Sequence, residues 1–315
     1  MKQNTLGTIL SFYRKKYEFL QQQICDGICS LATLSRIEKG INEMDSLVSE
    51  SLLGRIGKEV TRFEIILNDE DYELWQMREE IKKFMKDGEN EKAKALLELY
   101  KKKTVECHPV HKQFYLFYYA KIKMQSDYAK EEICKILIEA LQITKPKFDI
   151  KKAKEYLFNP TEIELVLLLT YLSYSKWKTS EIEQLLVEMY QFVKNIYSGR
   201  TKEKYITKIM MKLLEQDNLL LDEIKLINYA DEAIQLLAQG REIRSIAEIH
   251  FIKAKAMERY YLDKENWEYQ KNECKKECYM AYVVFEVINQ KEKMKEITDF
   301  CEEKLKWQIT KQAML

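Results

Sequence analysis

The stretch FLQQQICDGICSLATLSRIEKG, residues 19–40, carries most of the signals that decide the fold of this chain. Residues from about Leu20 to Cys25 suit a short helix, and Gly27 follows where the chain needs a left-handed residue to leave that helix. Ser30 then stands where an N-cap is expected, ahead of a second helical pattern that Gly40 ends. This order predicts two short helices joined by a tight turn, which is a helix-turn-helix.

Apolar residues at helical spacing continue on both sides of this unit. In the second helix Leu34 and Ile37 fall on the inner face, and Ile28 fills the turn before it. Residues 1–67 are therefore predicted to form a small five-helix domain. The five apolar sets are Leu6, Ile9, Leu10 and Tyr13; Leu20, Ile24 and Cys25; Leu31, Leu34 and Ile37; Leu47, Val48 and Leu52; and Val60, Phe63 and Ile66.

The remainder of the chain consists of longer amphipathic helical patterns separated by short polar breaks. One pair has tetratricopeptide spacing, with Ile81 on a first helix, a turn at Asp87-Gly88 and the small Ala93 on a second helix. Pairs recur about every 35 to 45 residues, which is typical of an α-solenoid. We expect an all-α chain in which residues 70–315 form a right-handed superhelical array of tetratricopeptide-like helix pairs.

Composition and charge limit the class of protein. Only 3 prolines and 8 glycines interrupt the helices, and 52 basic residues balance 51 acidic ones, so no overall field attracts nucleic acid or anionic membranes. The first residues, MKQNTLGTILSFYRKKYEF, lack the apolar run of a signal peptide, and the longest apolar stretch, Ile163 to Leu172, is too short to cross a bilayer. A cytoplasmic protein with seven reduced cysteines and no membrane partner is expected.

The opening stretch resembles the Cro/repressor-like helix-turn-helix family. The shared pattern is a glutamine that opens the first of the two helices, a glycine in the turn, and Ser-Arg-Ile-Glu-x-Gly at the end, here Gln21, Gly27 and residues 35–40. The family also pairs an arginine seven residues before the glutamine with the closing glutamate, which implies a structural ion pair between Arg14 and Glu38. Two departures are Leu20, where the family has a serine, and Asp26 in the turn.

A narrower resemblance joins this unit to the helical region. The chain resembles the Rgg-like and PlcR-like regulators of Gram-positive bacteria in three features. These are the motifs GICS and LSRIEKG, the long helical-repeat region that follows, and the motif NPTEIELVLL. That resemblance implies a quorum-sensing transcriptional regulator: a homodimer that binds a palindromic double-stranded DNA operator and a short peptide pheromone, without a cofactor. The rival interpretation is a protein–protein interaction scaffold whose helix-turn-helix does not read DNA.

Candidate DNA-binding residues follow from the placement of the two helices. The first helix of the chain ends in basic residues, helix-opening amides can bind phosphate, and outward residues of the second helix of the unit can reach base edges. These residues are Lys15, Lys16, Gln21, Ser30, Leu31, Thr33, Ser35 and Arg36.

A candidate peptide groove is expected on the first helix of each of three pairs, near residues 161–175, 203–217 and 246–262. These segments combine aromatic surface with positive charge, which suits an extended apolar peptide with a free carboxylate. The candidate residues are Tyr171, Tyr174, Lys208, Lys212, His250 and Lys253.

Other chemistry finds little support in the residue patterns. Cys107, His108 and His111 lack a second pair of ligands at zinc-site spacing, so no metal is expected. The pairs Cys25–Cys29 and Cys274–Cys278 are expected to be buried thiols, with redox sensing as the alternative. Phosphate-binding loops and nucleophile motifs are absent, so the chain is not expected to be an enzyme.

Overall fold

The computed structural model describes residues 6–58, 66, 68–125, 128–215, 223–238 and 243–309. Every regular element among them is a helix, and the predicted all-α fold class is confirmed. The fifth amino-terminal helix, predicted around Val60 and Phe63, falls outside the described residues.

The chain divides into two compact units, Met1–Tyr197 and Ser198–Leu315. The helix-turn-helix and the first helix pairs therefore belong to one unit. The functional division expected between residues 1–67 and 70–315 stays a prediction, because compactness alone does not test it.

The first unit begins with four short helices and continues with longer ones. The helices are α1 (Leu6–Lys16), α2 (Gln21–Cys25), α3 (Leu31–Glu38), α4 (Ser46–Arg55), α5 (Asp69–Lys86), α6 (Asn90–Lys103), α7 (Pro109–Lys123), α8 (Lys130–Thr144), the 3-10 helix η1 (Ile150–Glu155), α9 (Pro160–Tyr171) and α10 (Thr179–Ile196).

The second unit contains five described helices that pack in chain order. They are α11 (Gly199–Glu215), α12 (Glu223–Leu237), α13 (Ile243–Tyr261), α14 (Trp267–Val287) and α15 (Lys291–Lys304). Their core includes Phe251, Phe285 and the fully buried thiols of Cys274, Cys278 and Cys301.

The predicted tetratricopeptide-like pair is α5 and α6. Asp87 and Gly88 form the turn, and Gly88 has a φ of +76° that suits glycine. Ile81 and Ala93 are both fully buried, and α5 and α6 pack against each other. The sequence prediction for this pair is confirmed.

Helix α9 occupies the core of the first unit. The phrase NPTEIELVLL supplies its start: Asn159 caps the helix, Pro160 follows, and the Glu162 side chain accepts a hydrogen bond from the Asn159 amide at 2.8 Å. The helix packs against α4, α7 and α8 and is buried on most of its circumference. The groove face expected along residues 161–175 is thus mostly core, and Tyr171 at its end is the large exposed apolar side chain.

Glu162 lies at the centre of a buried polar group, which we call the Arg55 cluster: Arg55, Lys145 and Glu162. The Arg55 Nη2 and Glu162 Oε1 atoms are 2.5 Å apart, and the Lys145 Nζ atom lies 3.5 Å from the same oxygen. All three side chains are at most 1% exposed. An ion buried this deeply is tolerated only when it is paired and hydrogen-bonded.

Backbone carbonyls complete the environment of Arg55. Its guanidinium donates at 2.7 Å to the carbonyls of Ile24, Asp26 and Thr144. The first two carbonyls belong to the end of α2 and its turn, and the third ends α8. One side chain on α4 therefore joins the helix-turn-helix to the helical pairs.

The turn itself packs closely on the end of α8. Gly27 has a φ of +70°, and a Cβ atom there would lie 2.4 Å from the Thr144 carbonyl oxygen. Both the backbone conformation and the space exclude a side chain at this position. The glycine that the sequence marks as a turn residue is also required by a tertiary contact.

The amino-terminal end of α4 is held by a second polar group. The Asp71 carboxylate accepts hydrogen bonds from the Ser46 amide and from the Ser46 hydroxyl, the latter at 2.6 Å. Arg78 in turn donates to the Ser46 hydroxyl at 2.8 Å. A carboxylate at a helix amino terminus satisfies amides that lack partners within the helix.

Two pKa shifts describe the balance of charge in the Arg55 cluster. Burial lowers the pKa of Lys145 to about 7, even though Glu162 favours its charged form. Burial alone would raise the pKa of Glu162, but Arg55 and Lys145 outweigh it and hold that pKa below its ordinary value. The carboxylate is therefore charged at neutral pH, while Lys145 titrates near neutrality.

We predict that Glu162→Gln destabilises the chain by about 3 to 5 kcal/mol, because it leaves the Arg55 guanidinium buried without a counterion. Denaturant unfolding of the full chain measures the loss. Glu139→Gln is the matched control, since Glu139 pairs with Lys112 at the surface, where both side chains are more than half exposed. A loss below about 1 kcal/mol for both variants would contradict the prediction.

The pKa of Lys145 predicts a pH dependence. Between pH 7 and its ordinary pKa of 10.5, the folded chain binds fewer protons at Lys145 than the unfolded chain, so stability rises with pH. Relative to Lys145→Met, the wild type should gain up to about 1.4 kcal/mol per pH unit between about pH 7 and pH 9. Unfolding curves across this range test it, with Lys151→Met at an exposed lysine as control. If the stability difference between wild type and Lys145→Met does not change with pH, Lys145 does not lose its proton in the folded chain over this range.

Candidate DNA-binding and peptide-binding sites

The helix-turn-helix has the geometry that the sequence indicates. Helix α2 ends at Cys25, Gly27 is left-handed, and Ile28 is 5% exposed in the core of the turn. The Ser30 hydroxyl accepts a hydrogen bond from the Thr33 amide at 3.0 Å, so Ser30 is the N-cap of α3. Gly40, also left-handed, follows the end of α3.

Most of the predicted DNA-binding side chains lie at the surface of this unit. Lys15 and Lys16 are exposed at the end of α1, and Ser30, Leu31 and Arg36 are exposed on or beside α3. Two further predicted residues, Thr33 and Ser35, are half-buried, and the Thr33 hydroxyl is hydrogen-bonded to Ser30.

Ala32 and Lys39 extend the exposed face of α3 and were not selected from the sequence. Apolar spacing identifies the inward-facing residues of a short helix. The outward-facing residues are defined only to within one or two positions. Lys39 adds a positive charge close to Arg36 along the chain. The exposed face therefore consists of small, apolar and basic side chains.

An ion pair joins α1 to the end of α3. The Arg14 Nε and Nη2 atoms donate to the two oxygens of Glu38 at 2.6 and 3.0 Å, as the family resemblance implies. The hydrogen bond to Glu38 is the main cause of the raised pKa of Arg14. The Gln21 side chain also donates to Glu38, at 2.8 Å, so its amide belongs to this framework. The backbone amide of Gln21, at the start of α2, remains available for a phosphate contact.

Asp26 has a structural use that the sequence did not reveal. Its backbone carbonyl accepts the hydrogen bond from Arg55, and its carboxylate lies 3.5 Å from the side-chain nitrogen of Gln22. Arg55 itself carried no local signal, because its partner Glu162 is 107 residues away in sequence. Such a pairing is visible only after folding.

The two histidines of the Cys107–His111 segment have internal partners, and His108 contacts the helix-turn-helix. His108 Nδ1 accepts from the Val110 amide, so its Nε2–H donates to the Ile28 carbonyl at 2.7 Å. His111 Nδ1 lies 2.6 Å from the Tyr100 hydroxyl. Among the described residues, no group of three or more His, Cys, Asp or Glu side chains is arranged to hold a metal ion.

The six candidate peptide-binding residues are divided between the two compact units. Tyr171 and Tyr174 belong to the first unit. Tyr171 is 60% exposed at the end of α9, while Tyr174 is half-buried with its ring edge-on to Trp177 at 5.4 Å. Tyr171 is thus the more accessible of the two.

The other four candidates lie in the second unit. Lys208 is exposed and Lys212 half-buried on α11, and both interact with neighbouring groups. His250 and Lys253 on α13 share Glu277 of α14: the His250 Nδ1 and Lys253 Nζ atoms lie 2.5 and 2.6 Å from its oxygens.

Lys253 also contacts Asp231 of α12, at 2.5 Å. Burial opposes its charge, but the two carboxylates raise the pKa of Lys253 above its ordinary value. Its ammonium is thus already neutralised by two internal partners. A peptide carboxylate at this position would have to displace one of them.

No helix among the described residues is long and apolar enough to span a bilayer.

An amino-terminal helix-turn-helix followed by packed helix pairs defines a class of fold, and a solved structure shares it. The chain is similar to Bacillus thuringiensis PlcR, solved in complex with the peptide PapR7 and DNA: the TM-score is 0.51 at 13% identity, over 94% of this chain and 99% of that one. The similarity to PlcR confirms the expected resemblance at the level of the fold.

Two further solved structures are similar at lower scores. The apo form of ComR from S. thermophilus matches with a TM-score of 0.46 at 16% identity, over 93% of this chain and 97% of that one. Rgg2 of Streptococcus dysgalactiae, a pheromone receptor, matches with a TM-score of 0.37 at 14% identity, over 93% and 97%. No family model and no curated protein sequence matches this chain.

We predict that Arg14→Ala and Glu38→Ala each destabilise the chain, because each leaves a partly buried charge without its partner. A double-mutant cycle by thermal or denaturant unfolding should give a coupling of about 0.5 to 3 kcal/mol. Gln21→Ala should weaken the same framework by about 1 kcal/mol. Strictly additive losses for Arg14 and Glu38 would show that the ion pair contributes nothing.

Proposed function

We propose that this chain is a cytoplasmic, homodimeric transcriptional regulator that binds DNA through α3 and is controlled by a short signalling peptide bound to its helical-repeat region. The observation that carries the proposal is the exposed face of α3 on a framework that fixes α1, α2 and α3. Support for the kind of partner comes from the fold shared with PlcR, whose crystal structure contains a peptide and DNA.

The charge near α3 suits a DNA backbone. Lys15 and Lys16 end α1, and Lys39 follows α3, all exposed. Arg36 can form two hydrogen bonds to a guanine edge, while the lysines neutralise phosphates. One copy offers few such contacts, so its affinity is weak at physiological salt.

A homodimer would double these contacts. Two copies of α3, about one helical turn of DNA apart, would read the two halves of a palindromic operator. Selection of duplexes from a random library by the full-length protein, followed by binding at several salt concentrations, tests this proposal. Enrichment of a palindrome and a steep loss of affinity with salt are expected. Enrichment of no sequence would favour the scaffold interpretation.

For the selected duplex, we predict that Arg36→Ala weakens binding by about 1 to 3 kcal/mol and relaxes the preference for one base pair. Lys15→Ala and Lys16→Ala should weaken selected and scrambled duplexes alike, because phosphate contacts carry no sequence information. Gel-shift titrations compare the three variants, with the exposed Lys112→Ala as control. An Arg36 variant with unchanged affinity for both duplexes would mean that α3 does not enter the groove.

The peptide part of the proposal is that an apolar peptide of roughly five to ten residues binds in extended form with its carboxylate near a lysine of α11 or α13. The segments involved offer the aromatic and basic side chains of the six candidate residues. Lys208 is the exposed lysine among them, while Lys253 is already paired with Asp231 and Glu277.

We predict that amidation of the bound peptide lowers its affinity at least about tenfold, and that one of Lys208→Ala, Lys212→Ala or Lys253→Ala reproduces the loss. Calorimetric titrations use peptides that copurify with the protein and are identified by mass spectrometry. Glu277→Gln is the control for Lys253, because it removes one of the two carboxylates paired with Lys253 and keeps the lysine. Full affinity of the amide for wild type and for all three lysine variants would exclude the carboxylate contact.

A further inference from the structure

Helix α3 begins with an exposed apolar side chain. Leu31, its first residue, is 48% exposed, and Ala32 beside it is exposed as well. The other two large apolar residues of α3, Leu34 and Ile37, are 0% and 3% exposed. One leucine on a protein surface is ordinary in itself, so the position and the neighbours of Leu31 decide what it contacts.

The orientation of Leu31 is fixed by contacts at both ends of α3. At the start of the helix, the Ser30 hydroxyl accepts a hydrogen bond from the Thr33 amide at 3.0 Å. At its end, the Glu38 carboxylate accepts two hydrogen bonds from Arg14 of α1. A rotation of α3 that buried Leu31 would break these contacts and expose the core residues of the helix. Leu31 therefore stays in contact with solvent in the free protein.

The surface around Leu31 carries positive charge. Ala32, Arg36 and Lys39 are exposed at four- and three-residue spacing, which places them on one face of the helix. Leu31 borders that face. The one acidic residue of α3, Glu38, has a side chain only 7% exposed and is neutralised by its ion pair with α1. The exposed surface of α3 thus combines apolar area with positive charge and has no unpaired negative charge.

The major groove of DNA matches this combination. Phosphates border the groove, and the base edges in it are hydrogen-bond donors and acceptors, with one apolar group in unmodified DNA, the C5-methyl of thymine. Recognition helices contact base edges with residues at their amino-terminal end, where Leu31 and Ala32 lie. The short side chain of Ala32 leaves room for the helix backbone to come close to the bases.

We propose that Leu31 contacts the C5-methyl group of a thymine in each half of the operator and so sets a base preference beside the guanine contacted by Arg36. The inference rests on the proposed function and adds the base that α3 selects through an apolar contact. Leu31 and Arg36 are five residues apart, which is about 7.5 Å along the helix and about two base-pair steps of DNA. The thymine is therefore expected within about two base pairs of the guanine.

The size of the effect follows from the burial of one methyl group. An apolar group of this size stabilises a complex by about 0.8 kcal/mol when it is buried, which is about fourfold in affinity. A homodimer would make the contact in both half-sites. Loss of both methyl groups should then weaken binding about tenfold or more.

Uracil is thymine without the methyl group and so provides the test on the DNA. The full-length protein is titrated with the duplex selected from the random library, and with the same duplex in which uracil replaces the enriched thymine of each half-site. Wild-type affinity should fall about tenfold or more. Uracil at a thymine outside the half-sites is the matched control and should change affinity less than about twofold. Equal affinity for the thymine and uracil duplexes would overturn the proposal.

Variants of the protein assign the methyl contact to Leu31. Leu31→Ala should bind the thymine duplex about as weakly as wild type binds the uracil duplex, and uracil should weaken it less than about twofold further. Leu31→Met keeps an apolar side chain of similar volume and should keep the sensitivity to uracil. Leu99→Ala is the matched control, at a leucine of α6 that is also 48% exposed, and should bind as wild type does. An equal effect of uracil on wild type and on Leu31→Ala would assign the methyl group to another residue and overturn the proposal.

The outcomes separate this inference from the proposed function. Thermal melting shows whether Leu31→Ala is folded, and the uracil comparison needs wild type alone. A selected palindrome without thymine within about two base pairs of the guanine that depends on Arg36 would overturn the role of Leu31 and leave DNA binding intact. Leu31→Ala with wild-type affinity for the selected duplex would also overturn it, and would leave a protein surface as the partner of Leu31. If no duplex is enriched, the proposed function and this inference fail together.

Discussion

The buried contact between Arg55 and Glu162 is the constraint on which the rest of the first unit depends. Two charges at most 1% exposed must remain together, because either one alone would cost several kcal/mol. Their helices, α4 and α9, are thereby held at hydrogen-bonding distance. Since Arg55 also binds carbonyls at the end of α2 and the end of α8, the same constraint fixes the turn that precedes α3.

Helix α4 connects the helix-turn-helix to the helix pairs through contacts at both of its ends. Asp71 and Arg78 of α5 hold its first residue, Ser46, and the Tyr197 hydroxyl donates at 2.8 Å to the Gly54 carbonyl near its other end. Contacts at both ends resist tilting as well as translation. Helix α4 is therefore held between the first two helices of the chain and helices α5, α7 and α9.

Several side chains that could bind a ligand form internal hydrogen bonds or ion pairs instead. Gln21 binds Glu38 instead of facing outward, His108 binds the turn carbonyl of Ile28, and Lys253 is neutralised by two carboxylates. A polar side chain that is partly buried needs a partner, and the nearest partner is usually internal. The side chains that stay available on α3 are those on its exposed face, Arg36 among them.

The sequence by itself determined what depends on local order. Ser30 and Gly27 mark the helix-turn-helix through capping and left-handed turns, apolar periodicity marks the helices, and the family pattern implies the Arg14–Glu38 pair. Only the tertiary structure decided that Arg55 meets Glu162 and that α9 is buried on most of its circumference. Caps and helical periods act over a few residues and so leave a signal in the sequence, whereas a contact between residues 107 positions apart arises from packing alone.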